Sequence, residues 1–160
     1  MMILALDPAA TCGFAFGDGK TLPHASIWQL PGFADADCDR SFGNIYSAVR
    51  GIVTENRIEG LMIESPLRLD GKSAHTERML TMLSGAARAG AHNGGVKWIK
   101  SVAPTSWRKA VLGNGFPKNP KQAALEYCRL RGWRIDDHNA GEAACILVHA
   151  HDQAKIGAIG

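Results

Sequence analysis

Ile3 to Phe16 reads ILALDPAATCGFAF, an apolar run broken by a single carboxylate, Asp7, with Pro8 directly behind it. Apolar residues this dense read as core strands, and Pro8, which has no N–H to give a ladder, splits them into two strands joined across DPAATCG, with Gly13 permitting the turn. The alternating segment HASIWQL (24–30) adds a third strand, which PGFADAD ends. Three antiparallel strands therefore open the chain. A carboxylate in such a strand is costly to bury unless something of opposite charge meets it, so Asp7 is the first candidate functional residue.

Working outward, Phe42, Ile45, Val49, Ile52 and Val53 fall at helical spacing within DRSFGNIYSAVRGIVTENR. GLMIESP follows, a short apolar run suited to a buried parallel strand and closed by Glu64. TERMLTMLSGAARAGAHNGG reads as a helix rich in small residues, ending at Gly94 and Gly95, and VKWIKSVAP as a fifth strand. NPKQAALEYCRLRGW carries full helix punctuation: Asn119 as N-cap, Pro120 at the first position, Gln122 for a capping box and Gly132 as the stop. A last helix runs from about Asn139 past His149. The order is three strands, helix, strand, helix, strand, helix, helix, a layered mixed α/β fold.

The 160 residues suit one domain spanning 1–160, with no repeat, low-complexity tract or linker to divide them. No run approaches the roughly 20 apolar residues of a membrane span, and the N-terminus lacks the features of a secretory signal, so an intracellular, cytoplasmic protein is expected. Cys12, Cys38, Cys128 and Cys145 show no zinc spacing and read as buried free thiols. The net charge is +3, but from Gly94 to Arg134 nine Lys or Arg face a single acid, Glu126. Such a block suits a phosphate backbone, or equally a solvated, solubilising face.

Glu64 repeats the pattern of Asp7, an acid closing an apolar strand. If the two strands are neighbours, both carboxylates enter one place and repel, and a hard divalent cation such as Mg²⁺ or Mn²⁺ removes that repulsion. Near the last helix Asp136, Asp137, His138, Asn139 and Glu142 crowd together. Asn139 with Glu142 makes a capping box, and the aspartates suit a helix N-terminus. Beside Asp7 and Glu64, however, Glu142 on the first turn of a helix packed on the sheet reaches the same cluster.

In this order the residues resemble the RuvC family of Holliday-junction resolvases, within the RNase H-like (retroviral integrase) superfamily. ILALDPAATCGFAF is similar to the family's opening strands with the catalytic Asp at Asp7, LMIESP to the strand bearing the Glu at Glu64, and DDHNAGEAACILVHA to the closing helix. VAPTSWRKAVLGNG with KNPKQAALEYC resembles the segment between them, which brings a Lys into the third helix at Lys121. Glu142 stands where the family has Asp, and Leu67 where its resolvases carry an aromatic wedge. The resemblance implies a five-stranded mixed sheet, three antiparallel then two parallel strands, with helices on both faces.

It further implies a metal-dependent endonuclease of bacterial or phage type that resolves four-way DNA junctions. Asp7, Glu64 and Glu142 would hold two Mg²⁺ or Mn²⁺ ions per site, with Asn139, His138 or Asp137 as fourth ligand. Lys118 and Lys121 would meet the scissile-strand phosphates, Arg108 and Lys109 of the same basic block would also bind the DNA, and Arg68, Lys72 and His75 would hold the branch arms. A junction with two cleavable strands calls for a homodimer with two sites, with no membrane and no nucleotide cofactor. Rival readings are an RNase H-like nuclease of other branched DNA or RNA–DNA hybrids, and a catalytically weak junction-binding module. A sugar-kinase-like phosphotransferase also carries a strand Asp near a turn, but needs two such domains.

Overall fold

The computed structural model describes residues 1–66 and 73–159. Its strands are β1 (Ile3–Asp7), β2 (Thr11–Gly17), β3 (His24–Gln29), β4 (Gly60–Glu64) and β5 (Trp98–Val102). They form one sheet in the order β3-β2-β1-β4-β5, with β1–β2 and β2–β3 antiparallel and β1–β4 and β4–β5 parallel. The mixed sheet expected from the sequence is thus present, with its parallel half buried between helices as parallel strands require.

Period-two alternation assigns the strand residues to two faces. Leu4, Leu6, Leu61 and Ile63 pack with Ile45, Val49 and Val53 of α1 (Asp35–Glu55) and with Leu83, Ala87 and Ala91 of α2 (Ala74–Gly94). Ile3, Ala5 and Met62 face the other way, onto Trp107 of α3 (Pro104–Leu112), Ala124 and Cys128 of α4 (Pro120–Leu130), and the Ala143–Leu147 stretch of α5 (His138–Lys155). The small residues of α2 serve its contact with α1: a Cβ on Gly90 would lie 2.4 Å from the Tyr46 carbonyl oxygen. All four cysteines are buried free thiols.

Four details differ from the sequence reading. Helix α1 begins at Asp35, so part of PGFADAD is helical rather than a strand-ending loop. Gly13 makes no turn; it lies inside β2 paired with Asp7, and a Cβ there would stand 2.0 Å from the Asn139 carbonyl oxygen. Its lack of a side chain admits the first turn of α5 to the sheet. PTSWRKAVL is a helix, α3, that the strand-like reading of VKWIKSVAP ran past; it starts with Pro104 at a first-turn position and stops at Gly113, φ 75°. Finally, α5 is capped by Asp137, whose Oδ1 accepts from the backbone N–H groups of Asn139 (2.8 Å) and Ala140 (3.1 Å), so Asn139 and Glu142 form no capping box. Both side chains are left for other work.

Candidate active site

Asp7 continues the Ile3–Ala5 row and Glu64 the Met62 row, so alternation turns both toward α5. The β1–β4 register ends at Leu6–Ile63, which brings Asp7 and Glu64 side by side at the carboxyl ends of parallel neighbours. Helix α5, let in by Gly13, adds Glu142 from its first turns, 5% exposed. The three acids line one cavity of about 360 Å³ with Pro8, Ser65, Arg108, Lys121 and Asn139. The sequence reading had placed these three acids together, and they meet.

Their electrostatics follow from that crowding. Burial, then the nearby Glu64 and Glu142 carboxylates, push the Asp7 carboxyl well above the ordinary carboxylate range, while Arg108 and Lys121 pull it down. Helix α3 answers the other two acids. The Trp107 indole N–H donates to Glu64 Oε2 at 2.5 Å from a fully buried ring, and Arg108 NH2 donates to Glu142 Oε1 at 3.1 Å. The Arg108 guanidinium lies over the Trp107 ring, 5.1 Å from its centroid, and its Nε meets no partner among the described residues. Trp107 went unnoticed in the sequence, where a buried tryptophan after Pro104 carries no functional signal.

The donor set suits a hard divalent cation: three carboxylates and the Asn139 amide around one polar cavity, where burial and the neighbouring acids raise the proton affinity of Asp7. Among the described residues, however, no group of three or more His, Cys, Asp or Glu is arranged to hold an ion as it stands. The pairing of Arg108 with Glu142 Oε1 leaves a guanidinium beside the acids.

The remaining candidates separate. Asn139 lines the cavity; Asp137 is engaged in capping; the Lys121 ammonium donates to His138 Nε2 at 2.9 Å at the cavity's edge. Lys109 and Lys118 are exposed, and Arg108, expected to meet phosphate, pairs with the buried Glu142. His75 is exposed and its Nε2 donates to the Phe33 carbonyl at 2.9 Å. Arg68 and Lys72, with Leu67, lie outside the described residues. No described helix is long and apolar enough to cross a membrane.

No protein-family model matches the chain, and no curated protein matches its sequence. Solved structures do resemble it. RuvC of Thermus thermophilus is 20% identical, with 98% of this chain and 97% of that one covered and a TM-score of 0.72. The T. thermophilus RuvC in complex with Holliday junction substrate superposes with a TM-score of 0.76 at 16% identity, over 98% and 97% of the two chains. The yeast mitochondrial Holliday junction resolvase Ydc2 gives 0.59 at 14% identity, covering 96% and 80%. The chain therefore has the RuvC-type, RNase H-like fold over nearly its whole length.

Proposed function

We propose that the chain is a divalent-metal-dependent, structure-selective endonuclease that resolves four-way DNA junctions, acting as a homodimer of single RNase H-like domains. The observation that carries this reading is the convergence of Asp7, Glu64 and Glu142 on one cavity rimmed by Lys121, in a fold whose solved examples include a RuvC bound to a Holliday junction. The same reading places its action in the cytoplasm of a bacterial or phage-infected cell.

Asp7, Glu64 and Glu142, with Asn139 as the nearest further oxygen donor, would hold Mg²⁺ or Mn²⁺, two ions per site. When bound, such ions acidify an attacking water and neutralise charge on the leaving oxygen. The chain's own residues do the rest. Trp107 fixes the Glu64 carboxylate through its N–H. Lys121 and Lys118, at the start of α4 and just before it, meet backbone phosphates, which position the substrate without reading its sequence. Arg108, paired with Glu142, would be available as a cation for the scissile phosphate if Glu142 held an ion.

One observation favours a second reading. The Arg108–Glu142 pair blocks a carboxylate in the metal-free state, as a junction-binding module with weak turnover would tolerate. Incubating four-way junctions, flaps and RNA–DNA hybrids with Mg²⁺ or Mn²⁺ separates the possibilities. A resolvase cuts the junction in paired, symmetric strands and Asp7→Asn does not; equal cutting by both proteins would sink the assignment, and tight junction binding without cutting would select the second reading.

A further inference from the structure

The site just described deals with a phosphate; nothing in it handles a base. Of the large apolar side chains left in solvent among the described residues, Phe116 is the most exposed at 83% and the one aromatic. It sits on the loop between α3 and α4, the two helices that supply Arg108 and Lys121 to the acidic cavity. A ring so exposed forgoes the burial that makes phenylalanine worth having, so the sequence around it should explain it.

The loop holds the ring out by design of its backbone. Gly113 adopts φ 75°, ending α3 and turning the chain. Asn114 Oδ1 accepts from the Phe116 N–H at 2.9 Å, closing a local turn. A Cβ on Gly115 would stand 3.0 Å from the Thr105 carbonyl oxygen, so the loop is seated closely on α3. After the ring come Pro117, Lys118, the N-cap Asn119 and then Pro120 and Lys121 at the cavity. Phe116 and Pro120 are four positions apart in the chain, so their Cα atoms are at most about 14 Å apart.

The surroundings are basic. Phe116 lines a shallow hollow with Thr105, Ser106, Lys109 and Asn114, on the face of α3 next to the one that carries Arg108 into the acidic site. Lys109 and Lys118 flank the ring in sequence and are exposed. An exposed aromatic ring between lysines is the arrangement by which proteins hold unpaired nucleotides: cations follow the backbone and a base stacks on the ring, whatever its identity.

We propose that Phe116 is a stacking platform for an unpaired base of the branched substrate, one to four nucleotides from the scissile phosphate, with Lys109 and Lys118 on the phosphates either side. The assignment rests on the nuclease reading above and deepens it. Stacking on a ring favours strands that have left their duplex, so Phe116 selects DNA opened at a branch point over continuous duplex.

The test measures junction affinity in the Asp7→Asn background, so that the DNA stays whole, for Phe116, Phe116→Ala and Phe116→Trp, on an intact junction and on a set carrying one abasic nucleotide at successive positions near the cleavage point. Loss of the ring should weaken binding to the intact junction roughly ten-fold, within the range that base stacking contributes, and Phe116→Trp should bind like the parent. At one abasic position the difference between Phe116 and Phe116→Ala should vanish, because the base that the ring holds is gone. Continuous duplex should not distinguish the three proteins. Equal binding of the intact junction by Phe116→Ala, or a deficit that persists at every abasic position, would overturn the proposal while leaving the nuclease reading untouched. Absence of junction binding by all three proteins would overturn both.

Discussion

Replacing Arg108 by Met tests the electrostatic account of the site most directly. The Arg108–Glu142 pair is 3.1 Å long, with side chains 18% and 6% exposed, so removing the cation strands a buried carboxylate beside Asp7 and Glu64. Breaking a buried pair from one side costs about 3–5 kcal/mol. Met keeps most of the apolar stem's packing and disposes of the partnerless Nε, an offset of about 1–3 kcal/mol. The metal-free variant should therefore lose about 2 kcal/mol, which for a chain of this length lowers Tm by about 4–8 °C. Divalent ions should close the gap. In the parent an ion reaching Glu142 must first displace the guanidinium, whereas in Arg108→Met the carboxylate is waiting, so the same saturating Mg²⁺ or Mn²⁺ should raise Tm further in the variant, by about the amount lost. Thermal unfolding in chelator and across a metal titration reads both quantities. A variant that melts with the parent in chelator, or gains no more from metal, would refute the reasoning.

Trp107→Phe keeps a buried ring but removes the 2.5 Å N–H donor to Glu64; a hydrogen bond to a charged group contributes about 1.5–3 kcal/mol, so kcat/KM on a four-way junction should fall roughly ten- to a hundred-fold, and an unchanged value would show that Glu64 is held by other means. Gly13→Ala drives a methyl to 2.0 Å from the Asn139 carbonyl oxygen; because backbone cannot yield without moving α5, urea unfolding should report a loss of at least about 3 kcal/mol, and a loss under about 1 kcal/mol would mean that α5 is not seated as described. Burial holds His149 and His151 below the ordinary 6.5, so the unfolded chain takes up protons first as pH falls and stability drains away below about pH 6.5. His151, whose Nε2 donates to the Gly17 carbonyl at 3.2 Å, carries part of that slope. Urea midpoints for His151→Gln should differ less between about pH 7.5 and 5.5 than the parent's, and an equal difference would remove His151 from the account.

The strands were readable because each is an apolar run with clear stops, and alternation alone then tells which face each residue takes. Asp7 and Glu64 stood out for the same reason: a charge ending an apolar strand has no packing role. Helix α3 escaped because nine residues after a strand leave little periodicity to detect, although Pro104 and Gly113 are a start and a stop in retrospect. The cap of α5 was misplaced by two residues because Asp137 and Asn139 are both good N-cap types; only the geometry decides between them, and it releases Asn139 and Glu142 to the cavity. Gly13 looked like a turn glycine because a close approach by a distant helix leaves no local trace in sequence.

What sequence could not show is that the site is already partly neutralised. Read along the chain, Arg108 belongs to a block of unpaired cations and is assigned to phosphate with the rest; its carboxylate partner lies 34 residues away. In the fold the three acids share their cavity with Arg108 and Lys121, so cations of the chain itself already oppose the acidic cluster. The acids are not equal in this. Asp7 and Glu64 are fixed by the β1–β4 pairing and cannot retreat from one another, which is why Asp7 absorbs the strain as a raised proton affinity. Glu142 sits on a helix and is paired with a guanidinium, so on the proposed reading it would be the acid at which an arriving ion exchanges with a cation of the chain. The same exchange would hand Arg108 to the substrate: the cation that pairs with Glu142 would become, once displaced, a phosphate contact beside the bond to be cut.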